Sequence, residues 1–219
     1  MSTFSVMPTT KTSLWADHEP PRFPKLDGAL DVDVAIVGAG ITGVTAARLL
    51  DDAGFSVALV DARRVGSGET KHTTAHLTEV LDGRLGELVS DFGEEGARLA
   101  LRGQRAAIER IAAYVADLRL DCGFNRVPGY LVAETAEEAR TLEAEAGLAK
   151  KLGLDARLVD ETPLPFPVAR ALRFADQAQF HPRAYLTGLL AGLDGGGCRV
   201  FETTAVQEIV DGTPCRVKT

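Results

Sequence analysis

Residues 33–62 read DVAIVGAGITGVTAARLLDDAGFSVALVDA, a strand–turn–helix–strand pattern that narrows the possible folds more than any other stretch of the chain. A short apolar run at 34–37 reads as a buried parallel strand. It leads directly into Gly38-Ala39-Gly40-Ile41-Thr42-Gly43, a complete G-x-G-x-x-G. A helical pattern follows, with Val44, Ala47, Leu49 and Leu50 available to one face; Gly54 ends it, and a second strand at 57–60 closes on Asp61. The glycines divide the work. Gly38 turns the chain out of the strand, Gly40 lets a pyrophosphate approach the main chain, and Gly43 lets helix and strand pack closely. The N–H groups at the helix start, aided by its dipole, suit a phosphate. Asp61, about 20 residues further on, is placed to accept hydrogen bonds from a ribose diol. Spacing alone admits NAD or FAD. The acid repels a 2′-phosphate and so disfavours NADP, an argument softened by Arg63 and Arg64.

The rest of the chain does not continue as βα units. The segment at 62–81 is rich in Gly, Thr and Ser and carries His72 and His76, an unusual composition for a connector. A helical pattern spans 83–120, with Ile108, Ile111, Ala112, Val115 and Leu118 at three- and four-residue spacing and Gly93 as a break. A strand is predicted at 124–133 with a bulge at Pro128-Gly129, a helix at 136–152, and short strands at 156–159 and 171–174. Pro182 opens a helix running to about 193, at a position where its missing N–H costs nothing. Strands at 199–202, 205–210 and 215–218 follow, and the chain stops at Thr219 in the middle of a β meander. The organisation expected is an extended arm at 1–29, a Rossmann-like α/β domain from 30–82 and 176–219 that is incomplete at its C-terminus, and an inserted α+β region at 83–175 belonging to a substrate or cap domain. Trp15 is expected to pin the arm to the body.

The chain is long enough to bury a core and make one or two domains. A net charge of −7 argues against nucleic-acid binding. No apolar run approaches the roughly 18 residues of a membrane span, and the first thirty residues lack the apolar core of a signal peptide, so a cytoplasmic location is the default. Cys122, Cys198 and Cys215 are widely spaced with no C-x-x-C, so no metal site is expected and all three read as buried thiols.

The position of the glycine motif, early in the chain and followed by a long insertion, suits an FAD protein. The segments DVAIVGAGITG, VALVDARRVGSGETKHTTAHLTEVL, PGYL, LPFP and QAQFHPRAYLTGL resemble the FAD-dependent oxidoreductases of the D-amino-acid-oxidase/glycine-oxidase type. The subgroup whose members carry a C-terminal Rieske [2Fe–2S] domain is the nearest in pattern, and this chain looks like its N-terminal part only. The resemblance implies that Gly38, Gly40, Ile41, Thr42 and Gly43 bind the FAD pyrophosphate and that Asp61 binds the adenosine ribose, where many relatives have Glu. It places Ala62 and Arg63 beside that ribose, and Val206, in a late strand, against adenine. Thr70, His72, Thr73 and Thr74 fall in the segment that passes the pyrophosphate and flavin. In dimethylglycine-dehydrogenase-like relatives a His of this segment is bonded to the flavin. For His72 both a covalent bond and a plain hydrogen bond near the cofactor stay open, whereas His76 reads as structural and His181 as a local cap. Tyr130 is expected to pack in the strand layer.

No C-x-H…C-x-x-H pair is present, so these residues hold no Rieske cluster, and no catalytic acid or base can be named. The implied function is an FAD-dependent oxidoreductase, or its N-terminal fragment, in which flavin accepts a hydride from a small amine, amino acid or hydroxy compound. One alternative is a non-catalytic, truncated FAD/ADP-binding module, with a strand edge at the abrupt end as a route to self-association. An NAD-dependent dehydrogenase is a weaker alternative.

Overall fold

The computed structural model describes residues 13–219. In chain order the elements are β1 (Val34–Val37), α1 (Ile41–Asp52), β2 (Val57–Val60), a single tight helical turn (Glu69–Lys71), β3 (His76–Leu77), α2 (Leu85–Asp117), β4 (Asn125–Ala133), α3 (Ala136–Leu152), β5 (Ala156–Val159), β6 (Arg170–Gln179), α4 (Pro182–Leu190), β7 (Cys198–Phe201), β8 (Glu208–Val210) and β9 (Arg216–Lys218). They form two compact units. Among the described residues, one comprises those up to Thr74 together with His181–Thr219; the other is Ala75–Phe180.

The first unit is built on a parallel sheet of order β1-β2-β7. Val34 pairs with Val57, and Val57 pairs in turn with Cys198. All four residues of β2 are buried, as a strand flanked on both sides requires, which is why it reads as an uninterrupted apolar run. Helix α1 buries Val44 and Ala47, and α4 buries Tyr185, Leu186, Leu189 and Leu190; the two helices pack on each other. The whole second unit is therefore inserted in the crossover from β2 to β7, ahead of α4. β8 and β9 form a separate hairpin.

The second unit is antiparallel. β6 is its axis, with β4 along one edge and β3 and β5 sharing the other. Leu85, Leu101, Leu142, Leu152, Leu172 and Phe174 form the core between this sheet and α2 and α3. α3 begins with a capping box, in which Thr135 accepts from the Glu138 N–H and the Glu138 carboxylate accepts from the Thr135 N–H. At the start of α2, the buried Glu145 carboxylate accepts from the Leu85 N–H at 2.9 Å and the Gly86 N–H at 3.3 Å. The predicted break at Gly93 is a kink with φ +70° and ψ 171°.

Several expectations shift. The units divide at 74/75 and 180/181 rather than at 82/83 and 175/176, because His76 and Leu77 pair with the end of β6 and draw residues 75–82 and 176–180 into the second unit. β6 runs through Gln179 instead of stopping at 174. Asp176 at φ +53° and a register shift between Val127 and Gly129 interrupt its alternation and hide its length. α4 ends at Leu190, three residues early, although Leu193 stays buried beyond it. Val206 lies outside any strand, since β8 starts only at Glu208. The residues before it bond elsewhere: Thr203 N–H to Arg63 O and Thr204 N–H to Asp61 O. Cys215 is exposed, unlike Cys122 and Cys198, because it falls at the edge of the small β8–β9 hairpin.

Candidate cofactor-binding site

The glycine turn has the geometry that its spacing foreshadows. Gly38 stands at φ +101° and donates its N–H to Val60 O at 2.8 Å, so the chain leaves β1 while tied to β2. A Cβ on Gly43 would stand 1.8 Å from Gly38 O, which means that the helix crosses the strand at a distance only glycine permits. Gly40 is the N-cap of α1 and supplies no side-chain cap, and the first turn contains no acid. Thr70, itself buried, reaches in from the tight turn and accepts from the Ile41 N–H at 3.1 Å. The remaining first-turn N–H groups, on Thr42 and Gly43, belong to the set that an α-helix cannot satisfy internally. The arrangement is a helix start suited to an anion.

Asp61 does more than its place at the end of β2 suggests. Its Oδ2 accepts from the Ala39 N–H at 2.8 Å and its Oδ1 from the Arg63 N–H at 2.7 Å, so the carboxylate clips the glycine turn to the loop after β2. Each oxygen retains a second lone pair for a ribose hydroxyl. Ala62 and Arg63 are exposed, and Arg63 Nη2 lies over Gly68, where a Cβ would meet it at 3.6 Å. The hydrogen bond from Thr204 N–H to Asp61 O brings the segment leading to Val206 alongside Asp61.

The structure thus gathers Gly38, Gly40, Ile41, Thr42, Gly43, Asp61 and Thr70 around one helix start. His72, Thr73 and Thr74 are exposed residues further along the loop. Thr73 O accepts from Trp15 Nε1 at 2.8 Å, which pins the 13–19 segment as expected. His181 caps α4 by accepting the Ala184 N–H at its Nδ1. Tyr130 sits opposite Arg173 in β4 and lines a cavity of about 280 Å³ in the second unit, together with His76 and Gln177.

Sequence reasoning missed the buried acids. Glu202, 3% exposed, accepts from the Val65 N–H at 2.8 Å, from Arg64 Nε at 3.1 Å and from the Phe23 N–H at 3.3 Å, joining the arm, the loop and the end of β7. In the second unit, buried Glu79 pairs with Arg105 Nε at 2.8 Å and accepts from Gln177 Nε2. That contact raises the Arg105 pKa. Nothing in one sequence separates such acids from solvated ones; the nearest signal is that Glu202 directly follows an apolar strand.

A parallel sheet with a glycine-bounded helix start and an acid closing the second strand defines a dinucleotide-binding protein. Residues 33–219 match the family described as FAD dependent oxidoreductase (DAO), and the chain belongs to it. FAD is accordingly its cofactor. The chain is 35% identical over 88% of its length to the putative Rieske 2Fe-2S iron-sulfur protein YhfW of Bacillus subtilis (strain 168), of which it covers 38%. It is 28% identical over 90% of its length to gamma-glutamylputrescine oxidoreductase of Escherichia coli (strain K12), covering 47% of that protein. Among solved structures, glycine oxidase from Geobacillus kaustophilus superposes with a TM-score of 0.70 at 20% identity, over 85% of this chain and 50% of that one. The chain therefore spans half or less of the length of these relatives. Among the described residues, no helix is long and apolar enough to cross a membrane.

Proposed function

We propose that this chain supplies the ADP-binding side of an FAD site in an oxidoreductase acting on a small amine, amino acid or hydroxy compound. The observation that carries the proposal is the open α1 start: Gly43 pressed on Gly38, no acid in the first turn, and Asp61 beside it. On this reading the main-chain N–H groups at Gly40–Gly43 hold the pyrophosphate, and Asp61 accepts from the adenosine ribose while keeping the turn in place. Thr70 shares the Ile41 N–H and turns its own hydroxyl proton outward to a phosphate oxygen. Ala62, Arg63 and Val206 border the adenosine, and His72, Thr73 and Thr74 lie on the flavin side.

Bound flavin supplies the hydride-accepting chemistry; the residues of this chain bind and orient it. The names of two relatives, gamma-glutamylputrescine oxidoreductase and glycine oxidase, support an amine or amino acid as substrate. Any passage of electrons to an iron–sulfur centre would use ligands outside residues 1–219, which contain no C-x-H pair.

Titration of the chain with FAD, followed by flavin fluorescence and competed with ADP, tests the site. Saturable, ADP-competed binding that weakens in Thr70→Val is expected; FAD uptake indifferent to ADP would refute an ADP-side site. A second reading is a binding module without turnover. Anaerobic bleaching of the flavin by small amines or amino acids separates the two, since only the oxidoreductase reading expects it.

A further inference from the structure

We propose a second anion site in the first unit, distinct from the α1 start and formed where the 13–19 segment meets the 64–72 loop and the first turn of α4. A cavity of about 380 Å³ there is lined by three cations, Arg64, Lys71 and Arg183, by the hydroxyl-bearing Ser13 and Ser67, and by a single carboxylate, Glu19. Arg64 is already paired with Glu202 at 3.0 Å, so Lys71 and Arg183 against Glu19 leave the lining one positive charge in excess.

Arg183 is the central observation. It is 8% exposed and follows Pro182 in the first turn of α4, so a buried guanidinium stands at the positive end of a helix. Its Nη1 donates to Trp15 O at 3.1 Å, whereas its Nε has no hydrogen-bond partner among the described residues. No carboxylate among those residues comes within 4.0 Å of it, the range in which Arg64 meets Glu202 at 3.0 Å. Residues 1–12 contain no Asp or Glu, so the counter-charge does not come from that segment either. A buried guanidinium with no carboxylate partner beside a helix N-terminus is costly, and an oxyanion in the cavity would offset that charge. Lys71 adds a mobile point charge and also forms no ion pair among the described residues.

The cavity falls in the size range of small-metabolite sites. The ligand class is a small molecule carrying a phosphate or carboxylate group, for which a guanidinium, an ammonium and hydroxyls are matched donors. The tight turn Glu69–Lys71 divides between two sites: Thr70 bonds to α1, while Lys71 lines this cavity.

Calorimetric titration of the full chain with inorganic phosphate and, separately, with succinate at constant ionic strength tests the site. The same titration is run with saturating ADP to occupy the α1 start. Trp15, the only tryptophan, gives a second readout through its fluorescence, because its carbonyl is bonded to Arg183. Saturable binding of one anion is expected with ADP present, weakened at least roughly 10-fold in Lys71→Met and in Arg183→Met. Preference for phosphate or for succinate identifies which group the natural ligand carries. Lys71 is half-buried and unpaired, so its variant keeps the test valid if Arg183→Met fails to fold. Absence of saturable binding by either anion, binding unchanged in Lys71→Met, or displacement of the anion by ADP would each overturn the proposal.

Discussion

Gly43 shows how one missing methyl group fixes the site. Its hypothetical Cβ would overlap Gly38 O, a backbone atom that cannot rotate away, so Gly43→Ala must push α1 off β1. A cost of about 1–3 kcal/mol is expected, together with loss of FAD binding; urea unfolding and a flavin titration on the same sample measure both. Cys198 makes a second prediction at this scale. Burial, reinforced by Asp51 and Asp194, pushes its thiol up to about 11 from an ordinary 9.0. Because the folded state resists forming the thiolate, the stability tied to this group is intact below the unfolded pKa and is lost as pH rises from about 9 towards about 11. Roughly 2–3 kcal/mol is at stake, at about 1.4 kcal/mol per pKa unit. Denaturation at pH 8 and above pH 10 should show a steeper fall for the native chain than for Cys198→Ala, in which this contribution is absent. Single residues were also where the sequence was most and least legible. Gly38, Gly43 and Asp61 announce themselves by spacing, since backbone geometry leaves few residue types at those positions. Glu202 and Arg183 do not, since their burial arises from segments far apart in sequence.

At the scale of elements, most of the fold could be read because periodicity and punctuation agreed. β1, α1, β2, α3 and β5 fall where their patterns put them, and α3 carries its capping box and Gly153 at its end in the left-handed conformation. The misplacements have local causes. β6 is interrupted by Asp176, and the residues before Val206 bond to the loop after β2, so pattern alone made one strand too short and another too long. The two-residue β3 gave no periodic signal. The kink of α2 supplies the test. Gly93 at φ +70° and ψ 171° occupies a region open in practice to glycine alone, with no neighbouring atom within 4 Å of a hypothetical Cβ. Gly93→Ala should therefore destabilise the chain by backbone strain alone, on the order of 1–3 kcal/mol, read as a lower urea midpoint with an unchanged slope. A cost near zero would mean that α2 straightens without penalty.

At the scale of the molecule, the insertion of Ala75–Phe180 into the β2–β7 crossover makes a specific prediction. Its two ends are held together, His76 pairing with Gln179 and the Phe180 N–H bonding to Ala75 O, and it has its own core. Expressed alone, residues 75–180 should unfold cooperatively in urea; a non-cooperative transition would show that their core needs the rest of the chain. The other unit carries the glycine turn, Asp61 and Thr70, while the match to the FAD dependent oxidoreductase family runs through both units, over residues 33–219. The spacing of the turn admits NAD or FAD and its geometry serves either; the choice of FAD rests on the long insertion after the motif and on likeness over residues 33–219. The most direct measurement is therefore the visible spectrum of the purified chain after incubation with FAD and removal of free flavin, taken before and after acid precipitation. Retained flavin bands that pass to the supernatant on precipitation are expected for a folded site with noncovalent cofactor. Bands that stay with the pellet would keep the FAD site and make His72 the attachment point to mutate. A folded chain that emerges colourless would contradict the FAD site itself.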